Sequence, residues 1–205
     1  MKFRVFVITY LLIVSCSLSA SAQNNRVKDT LTFIMDTVNS YVAWQCDKHN
    51  GTVPLKYGII KIVNNEIVTG SFSMKMDSIK DEDIDYVLMR KTLENTLRSD
   101  FFFDTENYPT TDFIIDHTIP AGKNRWIIAG DLWIKGMVNC VQFTSKISYS
   151  DNQFIALSDT FSIDRTKWGI TIYSQEEATS DESVIVSNDI EFTLYIKGYP
   201  NKLNQ

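Results

Sequence analysis

The sequence predicts an all-β fold, with antiparallel strands closed into an eight-stranded barrel and one amphipathic helix. Three observations predict it. From Tyr41 onward the chain breaks into runs of alternating apolar and polar residues bounded by Gly, Asn, Asp and Pro, the pattern of half-buried strands. The runs recur every ten to fifteen residues or so, and a twisted antiparallel sheet of that size protects its edges by closing on itself. A single stretch, Asp83 to Arg98, switches to helical spacing.

Taken in order, strands are predicted over roughly 30–36, 40–48 and 52–63, followed by the alternation of Val68, Gly70, Phe72, Met74 and Met76. In the helix, Ile84, Val87, Leu88, Leu93 and Leu97 form the apolar stripe, after an acidic first turn that complements the helix dipole. Strands resume over 110–119 and 125–135, through Phe143, Ser145, Ile147 and Tyr149, and over 153–163. The cleanest is the last, where Ile190, Phe192, Leu194 and Ile196 alternate with Glu191, Thr193, Tyr195 and Lys197. Asn64-Asn65 and Asp151-Asn152 are predicted hairpin turns, because both residue types tolerate left-handed backbone angles.

With 205 residues, 44% hydrophobic and 22% charged, the chain is sized for one folded domain and is neither disordered nor a polytopic membrane protein. Its net charge of −5, with no cluster of Lys and Arg, argues against nucleic acid as a partner. Lys2 and Arg4, the apolar run Val5 to Val14 and the small residues Ala20-Ser21-Ala22 predict a signal peptide over 1–22, leaving a domain over 23–205 in the periplasm or outside the cell. No transmembrane segment is expected in the mature chain, because no later run approaches spanning length. Ile13-Val14-Ser15-Cys16 also resembles a lipobox, so acylation at Cys16 is the minority alternative. Cys46 and Cys140 remain, either bridged or as two free thiols.

Catalytic signatures are missing: there is no CxxC, no GxSxG elbow, no phosphate loop, and His49 and His117 lack metal-ligand spacing. Neither a catalytic residue nor a metal or other cofactor is expected. The acidic run Asp81-Glu82-Asp83-Ile84-Asp85 reads as a solvated helix start rather than a calcium loop.

Five motifs in series resemble the YceI-like family of secreted bacterial proteins: Asp36 to Trp44 with His49-Asn50-Gly51-Thr52-Val53; Gly70-Ser71-Phe72 with Met76-Asp77-Ser78-Ile79; Leu97-Arg98-Ser99-Asp100-Phe101-Phe102 with Tyr108-Pro109-Thr110 and Phe113; Gly130-Asp131-Leu132-Trp133-Ile134-Lys135-Gly136; and Phe161-Ser162-Ile163-Asp164-Arg165-Thr166-Lys167-Trp168-Gly169-Ile170. Together they cover about residues 33 to 197. The resemblance implies a lipocalin-like barrel with a helix over one end, and an apolar tunnel for an isoprenoid or fatty-acyl lipid. The sequence departs from the family pattern at Asn39, where other branches often carry His, and in the turn Met137-Val138-Asn139-Cys140 after Gly136.

Strand alternation nominates Phe72, Met74, Met76, Phe113, Ile115, Phe143, Ile147, Phe192 and Leu194 as tunnel wall, and the family motifs add Trp44, Trp133, Phe161 and Trp168. Methionine suits a wall that accepts varied chains. Arg165 and Asp164 either hold a headgroup or close the barrel structurally. Gly70, Ser145 and Ala156 on inward faces leave room for a cavity, and the interior is expected to lack ionisable groups. The polar segment 175–181 is expected to be a mobile loop gating one end. The favoured function is a non-enzymatic lipid carrier, against a structural or interaction module with a filled interior; a homodimer is left open.

Overall fold

Period-two alternation produces strands wherever the sequence carries it, and the computed structural model, which describes residues 30–175 and 185–201, contains eleven of them. They are β1 (Thr30–Met35), β2 (Tyr41–Gln45), β3 (Asn50–Val63), β4 (Glu66–Lys75), β5 (Lys80–Asp81), β6 (Thr110–Pro120), β7 (Arg125–Ile134), β8 (Met137–Tyr149), β9 (Phe154–Ser158), β10 (Phe161–Asp164) and β11 (Asp189–Pro200). One helix, α1 (Val87–Arg98), and short 3-10 turns at Met76–Ser78 and Arg165–Trp168 complete the described residues. The segment 1–22, Cys16 and nearly all of the 175–181 loop lie outside the described residues.

All strand pairs are antiparallel, and β11 joins β9 to β2, so the sheet closes. The barrel has eight positions because two of them hold interrupted strands. β1 and β2 lie in line along β3 and β11: Thr30–Ile34 pair with Val63–Ile59, and Tyr41–Gln45 with Pro54–Asn50. Likewise β9 and β10 both lie along β11. This explains why the run predicted over 153–163 appears as two strands.

Hydroxyl groups replace the ladder at both interruptions. Buried Ser40 Oγ donates to the Lys197 carbonyl at 3.1 Å and accepts from the Lys197 N–H at 3.0 Å. Ser158 Oγ accepts from the Leu194 N–H at 2.8 Å. In the first break Asp36 Oδ1 accepts from the Val38 and Asn39 N–H groups and Oδ2 from the Asn39 side chain; the Asn39 amide holds the Asp36 carboxyl below its ordinary value. Ser40→Ala leaves the Lys197 N–H without its partner, so we expect a loss of about 1–2 kcal/mol, read as a lower urea midpoint with unchanged slope.

Two hairpins are two-residue turns with both residues left-handed: Asn64-Asn65 (φ 52° and 66°), as predicted, and Lys135-Gly136 (φ 51° and 74°). The second corrects the sequence reading. Met137 to Cys140 are not a turn but the start of β8, because Gly136 supplies the left-handed angle one step earlier. The β8–β9 connection at 150–153 is a hairpin closed by Ser150 N–H to Gln153 O, yet Asp151 and Asn152 keep negative φ.

Helix α1 starts at Val87, four residues later than the acidic run suggested. Asp81 is withdrawn from solvent into β5, and its Oδ1 accepts the Ile84 N–H at 2.9 Å, which holds this stretch non-helical. Leu97 and Leu93 pack against Trp44, Val53, Met76, Ile79, Phe102 and Phe103 over one end of the barrel. Val87 and Leu88 do not join them and are 52% and 64% exposed. Only the C-terminal half of the predicted stripe is buried.

Candidate ligand-binding site

Alternate residues of all eight barrel positions point inward and line one internal cavity of about 210 Å³. The wall is almost wholly apolar. Eleven of the thirteen nominated apolar residues border it: Trp44, Phe72, Met74, Met76, Phe113, Ile115, Phe143, Ile147, Phe161, Phe192 and Leu194. Met76 does so from the 3-10 turn after β4 rather than from a strand. The phenylalanines form a ladder across the interior, with ring centroids 5.6 Å apart for Phe113–Phe143, 4.7 Å for the stacked pair Phe143–Phe161 and 5.8 Å for Phe161–Phe192.

Two nominated residues lie elsewhere. Trp133 stands on the outer face, 41% exposed, opposite Val138 of β8, while its neighbours Leu132 and Ile134 take the wall. Trp168 is buried but packs from the 3-10 turn itself against Ile134, Ile163 and Ile170, and its Nε1 donates to the Leu132 carbonyl at 3.0 Å. It plugs the structure instead of lining the cavity.

Gly70 leaves no room for ligand either, because Ile115 fills the space: a Cβ there would sit 2.7 Å from Ile115 Cδ1. Ser145 and Ala156 do line the cavity, and the Ser145 hydroxyl donates to the Leu157 carbonyl at 3.0 Å. Leu93, Leu97, Phe102 and Phe103 enter from the helix and the loop after it. Strand alternation gave no signal for those four.

Ionisable groups border the cavity, contrary to the sequence expectation: Cys46, Lys48 and His49 from the loop after β2, and Arg165. Arg165 is 5% exposed, and its guanidinium donates to four backbone carbonyls. Nε reaches Ser187 at 3.0 Å, Nη1 reaches Ile170 and Ile172 at 2.8 Å, and Nη2 reaches Val186 at 3.0 Å. Asp164 faces the 3-10 turn, accepting from Thr166 N at 3.0 Å and Thr166 Oγ1 at 2.6 Å. Cys46 and Cys140 are both free thiols, the first half-buried and the second exposed.

The structure also gathers His49, Asp81 and Asp83, which no spacing motif connects. β5 pairs with the start of β3 at Gly51, where a Cβ would overlap the Lys80 carbonyl oxygen; only glycine permits this approach. His49 Nδ1 then lies 3.8 Å from Asp81 Oδ2 and 3.3 Å from Asp83 Oδ2. Burial, then the neighbouring Asp83 carboxyl, pushes Asp81 above the ordinary carboxylate value. Burial alone would raise Asp83 as well, but contacts from Asp81, the Asn50 N–H and His49 bring it below that value.

Asp81 Oδ2 is buried and has no hydrogen-bond partner. We therefore expect Asp81→Asn to stabilise the metal-free protein at neutral pH by about 1 kcal/mol, measured by chemical denaturation. The sign follows from linkage. Because the folded chain holds the Asp81 proton more tightly than the unfolded chain, this group's contribution is fully present below the unfolded value and is lost as pH rises through the raised folded one. The advantage of Asp81→Asn over the wild type should grow over the same rise.

A closed antiparallel eight-stranded barrel, capped by one helix and enclosing an apolar cavity, defines the protein as a barrel of the internal-cavity type. Its residues 29–197 match the YceI-like domain, and the chain belongs to that family. The fold agrees with solved structures at low identity. BcnA of Burkholderia cenocepacia superposes with a TM-score of 0.62 at 17% identity, covering 80% of this chain and 98% of that one. A domain from Saccharophagus degradans, described as polyisoprenoid binding and implicated in plant cell wall breakdown, gives 0.57 at 12%, covering 83% and 99%. The YceI protein of Campylobacter jejuni gives 0.54 at 13%, covering 98% and 94%. No curated protein matches the chain by sequence. Among the described residues no helix is long and apolar enough to cross a membrane.

Proposed function

We propose that this protein is a non-enzymatic carrier that holds a long-chain amphiphile, an isoprenoid or fatty-acyl lipid, inside its barrel. The observation that carries the reading is the internal cavity whose wall is apolar at every one of the eight barrel positions. Removing each methylene from water contributes about 0.8 kcal/mol, so sixteen supply roughly 13 kcal/mol. Some 5 kcal/mol lost to association leaves about −8 kcal/mol, a micromolar complex without any polar contact. Trp44 adds specificity: its Nε1 is a buried donor with no partner, on a residue of the cavity wall. A lipid oxygen beside it would satisfy the group. Family membership and the polyisoprenoid-binding description of the Saccharophagus degradans domain support the same ligand class.

The carrier acts after export. Residues 1–22 are its signal peptide, 23–205 the mature domain, and its place is the periplasm or the exterior, as the basic start, the apolar run and the small-residue site suggest. One observation favours a second reading, a filled barrel serving as an interaction module: the phenylalanine ladder already spans the interior. Native mass spectrometry of gently purified protein separates the two. A stoichiometric mass excess that extracts into organic solvent is expected, and the same spectra report monomer or homodimer. A bare polypeptide mass, with no thermal shift on adding isoprenoid or fatty-acyl compounds, would overturn the carrier reading.

A further inference from the structure

Each carboxylate of the His49–Asp81–Asp83 group has one oxygen tied down and the other turned towards the imidazole. Asp81 Oδ1 accepts the Ile84 N–H at 2.9 Å and Asp83 Oδ1 the Asn50 N–H at 3.4 Å, so both Oδ2 atoms face His49 Nδ1. The three candidate atoms all lie within 4.8 Å of one another. Ligands about 2.1 Å from a tetrahedral zinc ion sit about 3.4 Å apart, so the observed 3.3 and 3.8 Å separations are already near those of a filled site.

A second feature is independent of this clustering. The Asp81 side chain is wholly inaccessible, yet its Oδ2 receives no hydrogen bond. A buried carboxylate oxygen without a donor is unfavourable, and a cation is the partner that removes the penalty. Asp81 is also held before any ion arrives, through β5 pairing on β3. His49 and Asp83 are about one-third exposed and leave an entry path.

We propose that His49, Asp81 and Asp83 bind one divalent transition-metal ion, with Zn²⁺ the best match. One imidazole nitrogen and two carboxylate oxygens suit zinc better than calcium, which takes six to eight oxygens, or magnesium, which prefers water and carboxylate alone. Three protein ligands leave at least one position for water or a ligand atom. The ion would stand beside the cavity, because His49 also borders it. This site does not depend on the lipid-carrier reading.

The test uses the purified protein, stripped with EDTA and titrated with ZnCl₂ by calorimetry, with thermal melting in parallel. One Zn²⁺ per chain and a Zn²⁺-dependent rise in Tm are expected. Asp83→Asn and His49→Ala should each weaken binding at least about tenfold and abolish the rise. His117→Ala removes the exposed His117–Asp116 pair at 2.9 Å and should change neither. Asp83 lies on the surface, so Asp83→Asn keeps the fold, as circular dichroism will verify. No saturable binding by the wild type, binding that survives Asp83→Asn and His49→Ala, or binding lost in His117→Ala would each overturn the proposal.

Discussion

Arg165→Met should lower the melting temperature by roughly 10 °C. The substitution keeps an apolar stem of similar length but leaves the carbonyls of Ile170, Ile172, Val186 and Ser187 without the guanidinium that ties them together. An orphaned acceptor costs about 1–3 kcal/mol when buried; the Ile170 carbonyl is buried and the other three are part-buried and open to some rescue by water, giving a net loss of about 4 kcal/mol. In a domain of this size each kcal/mol moves Tm by about 2–4 °C. Arg165→Lys should recover only part, because an ammonium lacks the planar fork that addresses four acceptors at once. Scanning calorimetry decides the matter. If Arg165→Met melts within about 3 °C of the wild type, the guanidinium is not a structural tie and the headgroup role for it regains its standing.

The second large effect is on occupancy. Ala156→Trp places an indole into the cavity beside Ile147, whose register partner Ala156 is. With open space there, the new ring replaces lipid: co-purifying mass disappears, and affinity for an added fatty-acyl probe falls at least a hundredfold, about 2.7 kcal/mol. Stability then changes by less than about 1.5 kcal/mol. In a solid interior the same substitution overpacks, costs about 1–3 kcal/mol or more, and changes no binding. Mass spectrometry and denaturation on one variant thus distinguish the carrier from the filled module.

How legible the molecule is in its sequence depends on what each residue must report. Where one face is wet, alternation suffices: Ile190, Phe192, Leu194 and Ile196 of β11 all border the cavity, and Glu191 and Thr193 do not. β7 is apolar on both faces, with Leu132, Trp133 and Ile134 in succession, so its sequence does not say which residues turn inward. The family motif that nominates Trp133 does not carry that information either, and the residue lies on the outer face. Trp168 belongs to a 3-10 turn, where alternation carries no meaning.

The break between β1 and β2 falls between the strands predicted over 30–36 and 40–48, whereas the break between β9 and β10 has no local signal, because the Ser158 hydroxyl at the break bonds the backbone of β11, a strand some 36 residues away. The same limit hid the gathering of His49 with Asp81 and Asp83. It arises from a two-residue strand seated against Gly51, a contact between segments some thirty residues apart that no local spacing encodes. The composition of the acidic run fits a helix start, but β5 pairing and burial of Asp81 override that preference.

The closing strand imposes an order of events. β11 pairs with β1 and β2 from the beginning of the fold and with β9 and β10 just ahead of it, so the seam of the barrel is made by the last twelve-residue strand. Local hairpins such as β3–β4 and β7–β8 need only their own neighbours. Joining β11 to β1 and β2 requires closing a very long loop, and topologies dominated by such contacts fold in milliseconds to seconds rather than microseconds. Until β11 docks, the sheet carries two unpaired edges, one along β1 and β2 and the other along β9.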